Sequence, residues 1–144
     1  MQTFLPYADF AASAAVLDMK RLGKQRVEAK QIYLALTQPG YGWQSHPAVK
    51  MWRDYVHAVA EYGFAICQEW TARGYNDTLT PFFAERIAVG PRPPWLGNPA
   101  FHASHRSNLL RKDPFHYGIW GWTEGPELPY VWPRSDEKSG ELIV

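Results

Sequence analysis

The chain of 144 residues holds one cysteine, Cys67, so it forms no internal disulfide and no cysteine-rich zinc site. It has no apolar run approaching the 18 residues that a membrane helix needs. The opening MQTFLPYADF lacks a basic stretch followed by an apolar one, which argues against a signal peptide. These absences lead us to expect the cytoplasm as the compartment. Nor is there a glycine-rich phosphate loop, a serine-nucleophile motif or a dinucleotide fingerprint. No internal repeat, low-complexity segment or convincing strand alternation occurs. With 46% apolar and 15% aromatic residues the chain can bury a core, and the expected class is all-α.

Charge of one sign is also missing overall, since the formal net charge is only +1. The distribution is less even. Glu124, Glu127, Asp136, Glu137 and Glu141 make the last segment acidic. Lys20, Arg21, Lys24, Arg26 and Lys30 crowd one short stretch, with Glu28 the sole acid among them. Such a focus on a nearly neutral chain points to an anionic ligand. We therefore divide the chain into a helical domain, 1–123, and an acidic extension, 124–144, packed on it or trailing from it.

Asp9 is placed to cap a helix over 9–37, ended by Gln38-Pro39-Gly40, with Gly23 as an internal weak point that can split it. Apolar residues at spacings of three and four predict a second helix over 47–73, capped by Ser45 or His46, with Pro47 at its favoured position. It would be the domain's spine, about 40 Å long at about 1.5 Å per residue. A short helix is expected after Thr80-Pro81, and another from Asn98-Pro99 to about Lys112. The Pro-rich loop 90–99 and the aromatic stretch from His116 onward read as irregular.

The first helix carries the chemistry. On a helical wheel with Lys20 as zero, Gln31 falls at about 20°, Lys24 at about 40°, Glu28 at about 80° and Arg21 at about 100°. Leu22, Ala29, Ile32 and Leu36 mark the core face. Val27 and Leu34 lie on the other flank. A polar wedge between two apolar flanks reads as the wall of a cleft, whereas a solvated ion-pair array is the plainer reading. Glu28 is the one acid in the wedge, and Lys24 and Lys20 are the amines beside it.

The stretch LDMKRLGKQRVEAKQI, from Leu17 to Ile32, resembles the pyrimidine-dimer DNA glycosylase family of the endonuclease V type, closest to its uncharacterised bacterial members. HPAVKMW from His46 and CQEWTARGYNDT from Cys67 continue the resemblance, and FHASHRSNLL and HYGIWGW extend it weakly. It implies a single α-helical domain that binds damaged duplex DNA, breaks the N-glycosidic bond and then cuts the strand by β-elimination. That chemistry needs a nucleophilic amine, a carboxylate for the cationic sugar, cations for the backbone and room for an extruded base. The family's amine belongs to a threonine exposed by loss of the initiator methionine, whereas Met1 here precedes Gln2. The family's glutamate lies three residues before an Arg-Val pair, and the residue three before Arg26-Val27 is Gly23. Glu28 is then the candidate carboxylate, Lys24 or Lys20 the candidate amine, and Arg26 a candidate DNA contact.

Arg21 and Gln31 join Arg26 as candidate DNA contacts. Arg106, with His102 and His105 at i,i+3, suits phosphate binding or a cleft wall. The two histidines could share a metal only with a third ligand such as His46, Asp113 or His116, and we expect neither metal nor cofactor. Trp52 and Trp70 belong to the core. Trp95, Tyr117, Trp120 and Trp122 are candidates to stack on a base, with Trp120 assigned to DNA binding. Cys67 lies on an apolar face and is expected to be inert. The reading is a DNA glycosylase with lyase activity on damaged or modified pyrimidines. The alternatives are a non-catalytic binder of damaged DNA, and a protein using the same cleft for a modified nucleotide or small anionic ligand.

Overall fold

The computed structural model describes residues 1–133. Among them there are seven α-helices and no β-strand, in agreement with the all-α class. The remaining residues, with Asp136, Glu137 and Glu141 of the acidic extension, lie outside the described ones.

The predicted helix 9–37 is two helices. Asp9 caps α1 (Phe10–Val16) by accepting from the Ala12 amide at 2.8 Å. The chain then extends through Leu17 and Asp18, and Asp18 caps α2 (Met19–Thr37) by accepting from the Arg21 amide. The break thus falls at a second capping aspartate. Gly23 stays within α2 and packs against α4: a Cβ there would lie 3.0 Å from the Trp70 ring.

The predicted spine over 47–73 is also broken. His46 caps a single turn, α3 (Pro47–Lys50), through Nδ1, which accepts from the Ala48 amide at 3.0 Å. A turn follows in which Asp54 takes a left-handed φ of 74°, a conformation aspartate tolerates. Only then does α4 (Val56–Ala72) begin. At 17 residues it is about 26 Å long, not 40 Å. Long-range bonds cause the break. Buried Trp52 donates from Nε1 to the Thr3 hydroxyl at 3.2 Å, and the Met51 carbonyl accepts from Trp95 Nε1 at 2.9 Å, a partner outside any helix ladder.

Helix α4 is the hub. It packs against α1, α2 and α5 (Thr80–Ala84). At Gly63 any larger residue would overlap the Phe83 ring. Phe10, Trp52, Tyr62 and Trp95 form the aromatic centre of the core, with ring centroids 4.9–6.2 Å apart. Trp95, expected to be open for stacking, is therefore core, as is Tyr117. Cys67 is buried, which pushes its thiol up to about 12 and leaves it inert at neutral pH.

Helix α6 (Pro99–Lys112) has the expected Asn98 cap and Pro99 start. Asp113 ends it and caps the short α7 (Pro114–Tyr117), which runs into one 3₁₀ turn, Gly118–Trp120. Residues 121–133 are irregular but not loose. They run along α6, where Ser107 Oγ donates to the Gly125 carbonyl at 2.5 Å and accepts from the Leu128 amide at 2.9 Å. Asn108 Nδ2 reaches the Leu128 carbonyl at 3.0 Å. No helix among the described residues is long and apolar enough to cross a membrane.

Candidate active site

Residues 1–5 have no regular structure, yet Gln2, Thr3, Phe4 and Leu5 are buried. Buried peptide groups need partners, and side chains of three helices supply them. From α2, Gln25 Nε2 donates to the Gln2 carbonyl at 2.7 Å and its Oε1 accepts from the Phe4 amide at 3.1 Å. From α4, the Tyr62 hydroxyl shares its one proton between the Phe4 carbonyl at 3.0 Å and Gln25 Oε1 at 2.5 Å. From α6, His105 Nδ1 accepts from the Leu5 amide at 3.0 Å, and His102 Nδ1 donates to the Leu5 carbonyl at 2.7 Å. Arg106 donates to the Pro6 carbonyl at 2.7 Å while pairing with Glu124 at 2.6 Å.

This threading brings the start of the chain against α2. There a pocket of about 450 Å³ opens, a volume within the usual range for small-ligand sites. One wall is the α2 face carrying Lys20, Arg21, Lys24, Gln25 and Glu28. Met1, Gln2 and Phe4 form the second, and Lys112, Tyr130 and Trp132 close the rim. The helical-wheel reading thus places Lys20, Lys24 and Glu28 together with Arg21. Gln31 is half-buried and lies outside the lining. The second apolar flank is not as predicted, because Val27 is exposed. The opposite wall is instead the N-terminal segment, which no local periodicity encodes.

Glu28 sits at the base of the pocket, 8% exposed. Its Oε2 accepts from the Gln2 amide at 3.0 Å and from Gln25 Nε2 at 3.2 Å, while Oε1 faces Lys24 Nζ at 3.6 Å. The charge is felt around it. Burial and then Glu28 raise the buried Tyr62 phenol. Burial lowers His46, the Met1 amine lowers it further, and Glu28 opposes them. The ring of His46 lies edge-on to Trp132, with centroids 6.3 Å apart. Lys112 is lowered by partial burial and then by the repulsion of Arg21, Arg111 and Lys24. Arg21 itself is paired with Asp18 at 3.1 Å. A single carboxylate thus faces several amines and a guanidinium, an arrangement suited to a polyanion whose reaction develops positive charge at one point.

The other candidates are tied elsewhere. Arg26 pairs with Asp77 at 2.6 Å and lies over the Trp70 ring at 4.9 Å. Thr80, Arg26 and the amides of Leu79 and Thr80 outweigh burial and hold Asp77 below the usual carboxylate range. His102 and His105 grip Leu5. Trp120 is exposed on the 3₁₀ turn, edge-on to His116 and outside the pocket lining. Among the described residues no group of three or more His, Cys, Asp or Glu is placed to hold a metal ion. Gln25, Lys112, Tyr130 and Trp132 were missed in the sequence. Gln25 alone left a local signal, a polar residue within the core face, just under one turn before Glu28.

No solved structure matches the chain. A family model described as pyrimidine dimer DNA glycosylase matches residues 1–81. That span is more than half of the chain and includes the N-terminal segment and every α2 residue of the pocket. Its DNA-repair chemistry accords with a cationic pocket built around one buried carboxylate, and the chain belongs to the pyrimidine dimer DNA glycosylase family.

Proposed function

We propose that the pocket takes the deoxyribose of a damaged pyrimidine in duplex DNA and carries out both base release and strand cleavage. An amine attacks C1′, and the C1′–N bond breaks with its electron pair leaving on the base. The ring opens to a Schiff base. Loss of a C2′ proton then expels the 3′ phosphate by β-elimination. The transition state of the first step places positive charge on the sugar, and Glu28 is the carboxylate to stabilise it. The observation that carries this reading is the position of Glu28, nearly buried yet open to the pocket with amines around it.

Gly23, where the family has its glutamate, faces α4 under Trp70. A carboxylate there would not reach the pocket, which supports transfer of the role to Glu28. Four amines line the same space, those of Met1, Lys20, Lys24 and Lys112. Lys24 pairs with Glu28, and Lys112 is made less basic by partial burial and then by its cationic neighbours. The amine that the resemblance implies is a terminal one, Met1 lines the pocket, and Lys24 is held by Glu28 at 3.6 Å. This favours the Met1 amine over Lys24, with Lys112 as the next candidate. Lys20 is left as a phosphate contact.

The test is borohydride trapping on ultraviolet-irradiated and undamaged duplex. Trapping on irradiated DNA alone is expected. It should survive Lys24→Ala and Lys112→Ala and be lost when the α-amine is blocked. Trapping lost in Lys24→Ala or Lys112→Ala, but not on blocking, reassigns the nucleophile. Binding of irradiated DNA with neither trapping nor base release overturns the enzymatic reading in favour of a binder.

A further inference from the structure

Helix α7 is fastened by one face only. The Tyr117 hydroxyl donates to Asp18 Oδ1 at 2.5 Å and accepts from the Asp18 amide at 3.0 Å. His116 Nε2 donates to the Val16 carbonyl at 2.9 Å. These bonds hold α7 to the N-terminal end of α2, where Lys20 and Arg21 enter the pocket. The face turned away from Tyr117 carries Phe115, 93% exposed, and Ile119, 72% exposed. They lie four residues apart, one on α7 and one on the 3₁₀ turn that continues it, and neither is covered. Met19, which follows the Asp18 that anchors Tyr117, and Trp120, which follows Ile119, are also exposed. Large apolar side chains gathered on an outward ridge are unusual on a soluble surface and mark a contact site.

The ridge has a cationic border. Lys112, on the pocket rim, precedes Phe115 by three residues. Arg21 is paired to the same Asp18 that anchors Tyr117. A partner that covers both must therefore offer negative charge beside apolar surface. Duplex DNA does so, with phosphates outside and stacked bases within. A second copy of the chain fits poorly, because it would bring the same cations face to face. Apolar wedges inserted between base steps kink a duplex and unstack it locally.

We propose that Phe115, backed by Ile119, is a wedge that enters the base stack next to the lesion while the adjacent pocket engages the sugar. The proposal rests on the glycosylase reading of that pocket. It makes α7 the device that holds the kinked duplex open, and it places Trp120 at the edge of the inserted ridge.

The experiment uses the full chain and a duplex carrying a thymine dimer with 2-aminopurine at the neighbouring step. Wild-type protein should raise the fluorescence several-fold on binding, as unstacking requires. Phe115→Ser, at a site too exposed to affect folding, should remove most of the rise and slow single-turnover base release about 10- to 100-fold. Its affinity for undamaged duplex should stay within about twofold. Ile119→Ser should show an intermediate effect. A full rise and normal base release in Phe115→Ser overturn the wedge and leave the glycosylase reading intact. A rise in wild type with no base release upholds the wedge and overturns the glycosylase reading. Duplex binding with no rise overturns the wedge whatever the chemistry. Sedimentation showing a wild-type dimer that Phe115→Ser dissolves assigns the ridge to a second copy and overturns the proposal.

Discussion

The peptide nitrogen of Gln2 donates to Glu28 Oε2 at 3.0 Å, a contact that spans 26 residues of chain. It fixes the carboxylate from one side while Gln25 fixes it from another, and the remaining oxygen is left toward the pocket. The residue that would answer the sugar's charge is thus oriented before any ligand arrives.

Glu28→Gln tests that orientation directly. A glutamine carbonyl can still accept from the Gln2 amide, so the fold is expected to persist with little change in Tm. Base release should fall about 100- to 1,000-fold, the usual effect of removing one preorganised electrostatic group. Duplex affinity should hold or tighten, since a negative charge facing phosphates has gone. A single-turnover rate within tenfold of wild type would exclude Glu28 from the reaction.

Salt dependence reports the cations. If Lys20, Arg21, Lys24 and Lys112 each meet a phosphate, log affinity against log salt should slope at about −3 to −4, and each alanine variant should reduce it by about one. Arg26→Ala should leave the slope alone and lower stability instead, because its guanidinium serves Asp77 and Trp70. Titrations at several salt concentrations, followed by anisotropy, separate the two outcomes.

The histidine clamp on Leu5 makes stability depend on pH. Burial, then the nearby His102, pushes His105 down to about 3; burial also lowers His102, against the bond to Leu5. Both are harder to protonate when folded, and His102 Nε2 also accepts from the Gly97 amide, whereas in the unfolded chain they take up protons below about pH 6.5. Stability is therefore complete above that value and declines as pH falls toward 3. His105 alone should cost about 2 kcal/mol by pH 5. Urea midpoints at pH 7.5, 6 and 5 should fall accordingly, and His105→Gln, which keeps an acceptor for the Leu5 amide, should flatten the trend. A flat wild-type profile would count against the clamp.

The legible part of the site is the part written on one helix. Lys20, Lys24 and Glu28 share a face of α2, and helical spacing alone brings them together. The opposite wall, Met1 and Gln2, and the rim, Tyr130 and Trp132, are positioned by bonds across the molecule, such as those of Leu5 to α6 and of Ser107 to Leu128. Nothing local encodes those. The same cause broke the predicted spine, since Trp52 turns toward Thr3 and Met51 toward Trp95. Trp95 itself lay in a proline-rich loop that looked open, and its burial depends on the turn at 51–54. Caps, by contrast, read correctly at Asp9, His46 and Asn98, because each acts within three residues of itself.

Chain ends ordinarily fray, and their amides exchange with solvent in moments. Here the amides of Gln2, Phe4 and Leu5 are bonded to side chains of α2 and α6, and Leu5 belongs to the core. These amides should exchange as slowly as the centre of α4, only when the whole molecule opens. The pocket then has no local unfolding of its own: it is present or absent with the fold, and hydrogen exchange at the first residues becomes a reading of global stability.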